Sequence, residues 1–168
     1  MENFDDYVRA RGDALMRFAY LLCGDRHRAE DFVQEALIRC HRRWRAIERD
    51  GDPEPYVRKA VLRQFLSWRR RKVASEHVAD EMAKTASGTD TAQAIAERDA
   101  MWRVLATLPR RQRAVLVLRY YEDLPDAQVA ELLGCSAATV RVHVSRALAK
   151  LREHPGLPNF TIKTEERV

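Results

Sequence analysis

The sequence predicts an all-α protein of two small helical domains, the second a helix-turn-helix, joined by a flexible linker. Three observations predict it. Apolar residues recur every three or four positions through most of the chain, and no alternating β-branched run bounded by turn residues occurs. Glycine and proline are sparse, six each in 168 residues, while Ala, Leu and Arg are abundant. From about 73 to 92 the composition shifts to VASEHVADEMAKTASGTDTA, small and polar without apolar period, as an interdomain linker requires. A chain of this length accommodates one ordinary domain or two small ones, which disfavours a single large enzyme core.

The first helix is expected from Phe4 to Leu22, with Phe4, Tyr7, Val8, Leu15, Phe18, Ala19 and Leu22 on one face and Gly24 as the stop. Asp25 is a suitable N-cap for a second helix of about six turns, whose apolar face carries Ala29, Phe32, Val33, Ala36, Leu37, Cys40, Trp44 and Ile47. Its opposite face holds Asp31, Gln34, Glu35 and Ile38 at i, i+3, i+4 and i+7. Such a stripe is either simply solvated or a docking ridge on an otherwise basic protein.

The segment ERDGDPEP, Glu48 to Pro55, is built from turn residues, and its two prolines are expected to hold extended backbone. A third helix follows from about Tyr56 to Lys72, with Val57, Ala60, Val61, Phe65 and Trp68 inward and Tyr56, Lys59, Arg63, Ser67 and Arg70 on the other side. Cations edged by an aromatic ring suit opened DNA, where phosphates meet charge and unstacked bases meet a ring. Arginines at a helix C-terminus also satisfy the helix dipole, which accounts for Arg69 to Lys72 but not for Lys59 or Arg63.

Helicity resumes near Ala94, with Ile95, Met101, Trp102, Leu105 and Leu108 at core spacing, and stops at Pro109. Arg110 to Tyr121 forms a further helix. Leu124 to Leu151 then reads as two short helices broken at Gly134-Cys135-Ser136. The first would bury Ala127, Ala130, Leu132 and Leu133, and the second Val140, Val144, Leu148 and Leu151. Gly134 allows the sharp exit and Ser136 caps the following helix. The outward face of that helix carries Ala138, Arg141, Val142, Ser145 and Ala149, with Arg146 beside them. Arginine can pair with guanine edges or phosphates, valine can touch a thymine methyl, and small residues permit close approach to a major groove. A plain amphipathic hairpin with a solvated basic face carries the same pattern. The tail after His154, with two prolines and little periodicity, is expected to be frayed.

The net charge of +5 favours a polyanionic partner without requiring one. Cys23, Cys40 and Cys135 are odd in number and far apart, so neither a disulfide framework nor a zinc site is indicated. The N-terminus lacks the basic-then-apolar order of a secretory signal, and no run approaches the roughly twenty apolar residues of a membrane span. A cytoplasmic protein with no membrane segment, no metal and no cofactor is expected. His27, His41, His77, His143 and His154 are scattered without HExxH or similar spacing, so no catalytic residue is assigned and hydrolytic chemistry is set aside.

Three motifs, GDRHRAEDFVQEAL at Gly24 to Leu37, YVRKAVLRQFLSWRRRK, and LPRRQRAVLVLRYYEDLPDAQVAELLGCSAATVRVHVSRALAKLR, occur in an order that resembles bacterial RNA polymerase sigma factors of the extracytoplasmic-function group, SigE-like members among them. The resemblance runs from about Phe4 to Glu153. It implies a sigma domain 2 within 1–75, a linker at 76–94, a sigma domain 4 within 95–153, no domain 3, and a flexible tail at 154–168. It implies that Asp31, Gln34 and Glu35, the family's DxxQE element, contact the β′ clamp of core RNA polymerase, whose β subunit is also a partner. The third helix, through Tyr56, Lys59, Arg63, Ser67 and Arg70, would hold and help open the -10 promoter element, with the preceding loop cradling a base turned out of the stack. Arg141, Val142 and Ser145 would read the -35 element as duplex, with Thr139, His143 and Arg146 near its backbone. The chain departs from the family pattern at Tyr56, often tryptophan, at Arg63, often asparagine, at Val142, often serine or threonine, and at Pro125, often a capping serine. An anti-sigma factor is a further partner that the resemblance allows. An autonomous helix-turn-helix regulator with an N-terminal effector or partner domain would share the C-terminal motif, but gives no reason for Asp31, Gln34 and Glu35 beside a basic third helix.

Overall fold

The structure, a computed structural model, describes residues 3–73 and 92–154. Within them lie eight α-helices and one π turn: α1 Phe4–Cys23, α2 Arg26–His41, α3 Trp44–Asp50, α4 Glu54–Val73, α5 Ala92–Leu105, α6 Arg110–Leu116, the π turn Val117–Tyr121, α7 Asp126–Leu133 and α8 Ala137–Arg152. The all-α expectation therefore holds; of the linker expected at 76–94, residues 76–91 lie outside the described residues while 92–94 already belong to α5, and the tail expected at 154–168 lies outside them from 155 on.

In the N-terminal half, α1, α2 and α4 pack as a three-helix layer. Phe18, Leu15 and Leu22 of α1 meet Ala29, Phe32 and Ala36 of α2 and Val57, Val61, Leu62 and Phe65 of α4, all of them buried. Removing each large apolar side chain from water contributes about 1.5–3 kcal/mol, and the Phe32 and Phe65 rings meet edge to face at 6.5 Å. The caps read from sequence are present. Gly24 adopts left-handed φ 68 at the end of α1, and the Asp25 carboxylate accepts the Arg28 amide at 3.1 Å.

Two expectations are corrected here. The six-turn second helix is interrupted between His41 and Trp44, where the Arg43 amide turns back to the Cys40 carbonyl at 3.0 Å. The break redirects α3 so that Trp44 packs edge-on against Phe4 and beside Tyr7, each at a ring distance of 5.1 Å. A straight continuation would be set by local periodicity alone, and these contacts with α1 override it. Secondly, Pro55 lies inside the first turn of α4 rather than in extended backbone before it. A first-turn proline forfeits no helical bond, and its fixed φ suits the helix.

In the C-terminal half, α6 and α7 pack on α8. Val115 and Leu118, with Val129, Ala130 and Leu133 of α7 and Val140, Val144 and Ala147 of α8, form its core. The helix expected from Arg110 to Tyr121 passes into the π turn, whose wide bond from the Glu122 amide to the Val117 carbonyl measures 3.0 Å. Ala127 is exposed and Leu132 only partly buried, because α7 turns Val129 inward instead, and Leu148 and Leu151 are partly buried. Met101, expected in the core, is 50% exposed. Gly134 leaves α7 at left-handed φ 65, and the Ser136 hydroxyl accepts the Thr139 amide at 3.1 Å to start α8. The two halves are packed against one another, α1 against α5, α6 and the π turn, and α4 against α6.

Candidate nucleic-acid interface

Because the inward face of α8 is spent on Val140, Val144 and Ala147, its remaining surface is set by helical geometry. Arg141, Val142, Ser145 and Arg146 are exposed side by side, Val142 at 46%. Neither arginine makes an ion pair among the described residues, so both guanidinium groups are available to an outside acceptor. Thr139 is half-buried and engaged at the N-cap, its hydroxyl 2.9 Å from Ser136 Oγ. His143 is half-buried too, and its Nδ1 has no hydrogen-bond partner among the described residues. Burial, then the charges of Arg111 and Arg146, push its pKa down, so the ring is neutral at ordinary pH and presents no cation to a phosphate. The face can therefore offer two cations, a methyl-bearing side chain and a hydroxyl to a groove, with Ala138 and Ala149 leaving room for approach.

The outer side of α4 is the second basic surface. Tyr56 is 45% exposed, Arg63 is exposed, and Lys59 and Ser67 are half-buried. The Tyr56 hydroxyl reaches Asp50 Oδ2 at 3.4 Å across the α3–α4 loop, and Ser67 donates to the Gln64 carbonyl at 3.3 Å. Arg70 belongs to α4, and its side chain lies outside the described residues. Lys59 and Arg63 have no carboxylate partner among the described residues, whereas Arg11, Arg26, Arg28, Arg39 and Arg58 are each paired. Sequence reasoning passed over a neighbouring patch. Arg42, Arg43, Arg45 and Arg49 line a 540 Å³ concavity with Phe4, His41 and Trp44 at the α2–α3 break. The run HRRWR was visible, but only the break gathers its charges into one concave surface of positive potential.

The acidic stripe lies on α2, away from its buried Phe32, Val33 and Ala36. Asp31 and Gln34 are exposed, Ile38 is 52% exposed, and Glu35 is half-buried with Arg39 Nε at 2.8 Å. Two carboxylates, an amide and an apolar tip on one ridge can meet a basic protein surface, with Arg39 as the internal competitor for Glu35. Tyr120 and Tyr121, each 44% exposed at the π turn, add an aromatic surface that helical periodicity had not singled out. The described residues contain no cluster of metal-binding side chains and no helix long and apolar enough to cross a membrane.

Behind α4 lies a tightly bonded polar group of the N-terminal half. Glu54 accepts from Tyr7 Oη at 2.7 Å, from Arg11 Nε and Nη2 at 3.0 and 2.7 Å, and from Arg58 Nη2 at 3.2 Å. Burial pushes the Glu54 carboxyl upward, but the hydrogen bonds from Arg11 and Tyr7 outweigh it and hold its pKa below the ordinary value. Burial, followed by the Glu54 hydrogen bond, drives the Tyr7 phenol upward, so it remains a donor at any working pH. This network fixes the start of α4 on α1 and thereby the placing of Tyr56, Lys59 and Arg63.

Comparison with known proteins bears on these surfaces. The chain matches the family models "Sigma-70 region 2" over residues 7–74 and "Sigma-70, region 4" over residues 98–151. It is 38% identical to the RNA polymerase sigma-E factor of Streptomyces avermitilis over 152 residues, covering 90% of this chain and 84% of that protein. With the ECF RNA polymerase sigma factor SigE of Mycolicibacterium smegmatis it shares 28% over 160 residues, 92% of this chain and 62% of the relative. Among solved structures, its fold is similar to that of the sigma factor RpoE crystallised with the anti-sigma factor NepR from Bartonella quintana, with a TM-score of 0.72 and 22% identity over 91% of this chain and 96% of that one. The α8 and α4 surfaces thus fall within two matched regions of one family, and the chain belongs to the extracytoplasmic-function group of sigma-70 factors, directing RNA polymerase to promoters rather than catalysing a reaction itself.

Proposed function

We propose a division of labour among the three surfaces. The α8 face reads the -35 element as duplex through Arg141, Val142 and Ser145, with Thr139, His143 and Arg146 near its backbone. The α4 face, through Tyr56, Lys59, Arg63, Ser67 and Arg70, holds the -10 element while it opens, with a base accommodated by the loop before α4. Asp31, Gln34 and Glu35 dock on the β′ clamp of core polymerase, and the β subunit is the second contact. The domains serving these roles are 1–75 and 95–153. The observation that carries this reading is the pairing pattern. Arg11 and Arg58 at the base of α4 are bonded to carboxylates, whereas Lys59, Arg63, Arg141 and Arg146 project from two helices without such partners among the described residues. Cations left unpaired on faces that also carry a base-contacting or stacking side chain support nucleic-acid binding over simple solvation.

The site of action is the cytoplasm, where polymerase and promoter are found. An anti-sigma factor is part of the same proposal, supported by the relative of similar fold crystallised with one. Run-off transcription with purified core polymerase and a library of promoters tests the assignment, because it reports polymerase dependence and both DNA elements together. Specific initiation that follows changes at both elements is the expected result. Tight, specific promoter binding by the isolated chain, with no initiation when core is added, would instead favour an autonomous regulator.

A further inference from the structure

The α2–α3 break gathers more positive charge than the surfaces assigned above account for. Arg42, Arg43, Arg45 and Arg49 line its 540 Å³ concavity, and all four are exposed. Arg39, just before them, is held by Glu35 at 2.8 Å, whereas none of the four pairs with a carboxylate among the described residues. Arg49 donates from Nε to the Arg45 carbonyl at 3.2 Å, which leaves its two terminal nitrogens for an outside acceptor. Helix electrostatics explains part of this charge. Arg42, at the C-terminal end of α2, meets the negative pole of that helix. Arg43 and Arg45 occupy the opposite kind of end, the N-cap and first turn of α3, where a cation is unfavourable. Arg45 and Arg49 also stand at i and i+4, a spacing at which like charges repel. With no carboxylate bonded to them, these cations break local rules, as residues do where an outside partner supplies the missing charge.

What the concavity can hold follows from its rings and its place in the fold. Phe4 of α1, half-buried, meets the exposed His41 ring at 4.7 Å and Trp44 edge-on at 5.1 Å. A rim of guanidinium forks around aromatic rings suits a strand of nucleic acid, with phosphates on the forks and an unstacked base against a ring. An acidic peptide would use the forks but has no need of the rings. Helix α3 is seven residues long, about 10 Å. Its far end is tied to the start of α4 by the Tyr56 hydroxyl, 3.4 Å from Asp50 Oδ2. A strand leaving the α4 face past the α3–α4 loop thus reaches the concavity within a few nucleotides, at ~3.4 Å or more between successive phosphates.

We propose that the concavity lined by Arg42, Arg43, Arg45 and Arg49 is a second single-strand site, which takes the backbone of the opened promoter strand just downstream of the -10 element. The inference rests on the assignment of the -10 element to α4 above. Opening runs from that element toward the start site, so only the downstream side offers an unpaired strand. Held there, the strand is kept from reannealing, and the open state lasts longer.

The test uses holoenzyme assembled from the full chain and core polymerase, titrated by fluorescence anisotropy onto two forked promoter templates. They differ only in the non-template strand, which either ends at the last base of the -10 element or continues single-stranded for about eight nucleotides. Contacts of core with the extension are common to every form of the chain, so comparison between forms isolates the concavity. R43A/R45A should weaken binding to the extended template on the order of tenfold and leave the truncated one unchanged. It should also lower the salt slope on the extended template by about 1.4, two charges at ~0.7 each. R43K/R45K, which keeps the charge and loses the fork, should restore the slope but only part of the affinity. No loss on either template, or equal loss on both, would overturn the proposal. Weaker assembly with core in place of a template effect would overturn it too, in favour of an acidic protein surface in the concavity. Should R43A/R45A fail to fold by circular dichroism, the single variant R45A decides, with a slope change of about 0.7. If holoenzyme binds neither template, the two-element reading fails by itself. The salt dependence of free full chain on the single-stranded extension, compared between wild type and R43A/R45A, then still decides the concavity.

Discussion

Replacing Glu54 by Gln is the sharpest probe of how the N-terminal half is held together. The substitution preserves shape and removes the charge to which Tyr7, Arg11 and Arg58 donate at 2.7–3.2 Å. Each hydrogen bond to a charged group is worth about 1.5–3 kcal/mol net, but the terms do not add, because one carboxylate serves all the donors. The Arg11 side chain is 43% exposed, so its pair with Glu54 is discounted for solvent screening, while the Arg58 side chain, 10% exposed, keeps its Glu122 partner. Loss of about 2–4 kcal/mol is expected, equivalent to a Tm drop of roughly 4–16 °C for a chain of this size. Urea unfolding of the full chain should show a lower midpoint with an unchanged slope. The pH dependence supplies a second check. Because the folded pKa of Glu54 lies below its ordinary 4.5, the stabilisation is fully present above that value and is lost as pH falls through the folded pKa. The gap between wild type and E54Q should therefore close as pH is lowered from about 4.5. A loss under about 1 kcal/mol at neutral pH, or a gap that persists unchanged through acid, would refute the idea that this carboxylate clamps α4 to α1.

Three further outcomes are expected. The double charge reversal Asp31→Lys with Glu35→Lys should abolish co-elution with core polymerase while circular dichroism stays unchanged, and undiminished binding would count against the α2 ridge. Replacing Arg141 by Ala should cost about 1–3 kcal/mol of promoter discrimination at the upstream element, and a footprint there identical to wild type would rule out a base contact by this residue. Ser136→Ala removes the acceptor of the Thr139 amide and should lower stability by about 1 kcal/mol; because Ser136 starts α8, affinity for the upstream element should fall with it, and an unshifted unfolding midpoint would show the cap to be dispensable.

Local rules made much of this protein legible from its residues. Gly24 and Gly134 as left-handed exits, Asp25 and Ser136 as caps, and the outward run of Arg141, Val142, Ser145 and Arg146 all depend on neighbours within one or two turns, and all appear where expected. The α2 stripe was legible for the same reason, since a helix with Phe32, Val33 and Ala36 inside must present Asp31, Gln34 and Ile38 outside.

Tertiary contacts decided the rest. Periodicity alone continues α2 to Ile47, and the break at Arg42–Arg43 exists because Trp44 packs with Phe4 and Tyr7 of α1. Met101 and Ala127 carry apolar side chains at core spacing yet are exposed, because which face of a short helix is covered depends on its neighbours in space. Glu54 reads as a loop residue until α1 supplies Tyr7 and Arg11, 47 and 43 positions away. Arg58 finds Glu122 and Arg113 finds Leu22 across separations of 64 and 91 residues, where no local pattern specifies a partner. Helices and their faces are thus encoded by short-range sterics and apolar spacing, whereas ion-pair choice and the closing of one half on the other are set only once distant segments share the same volume.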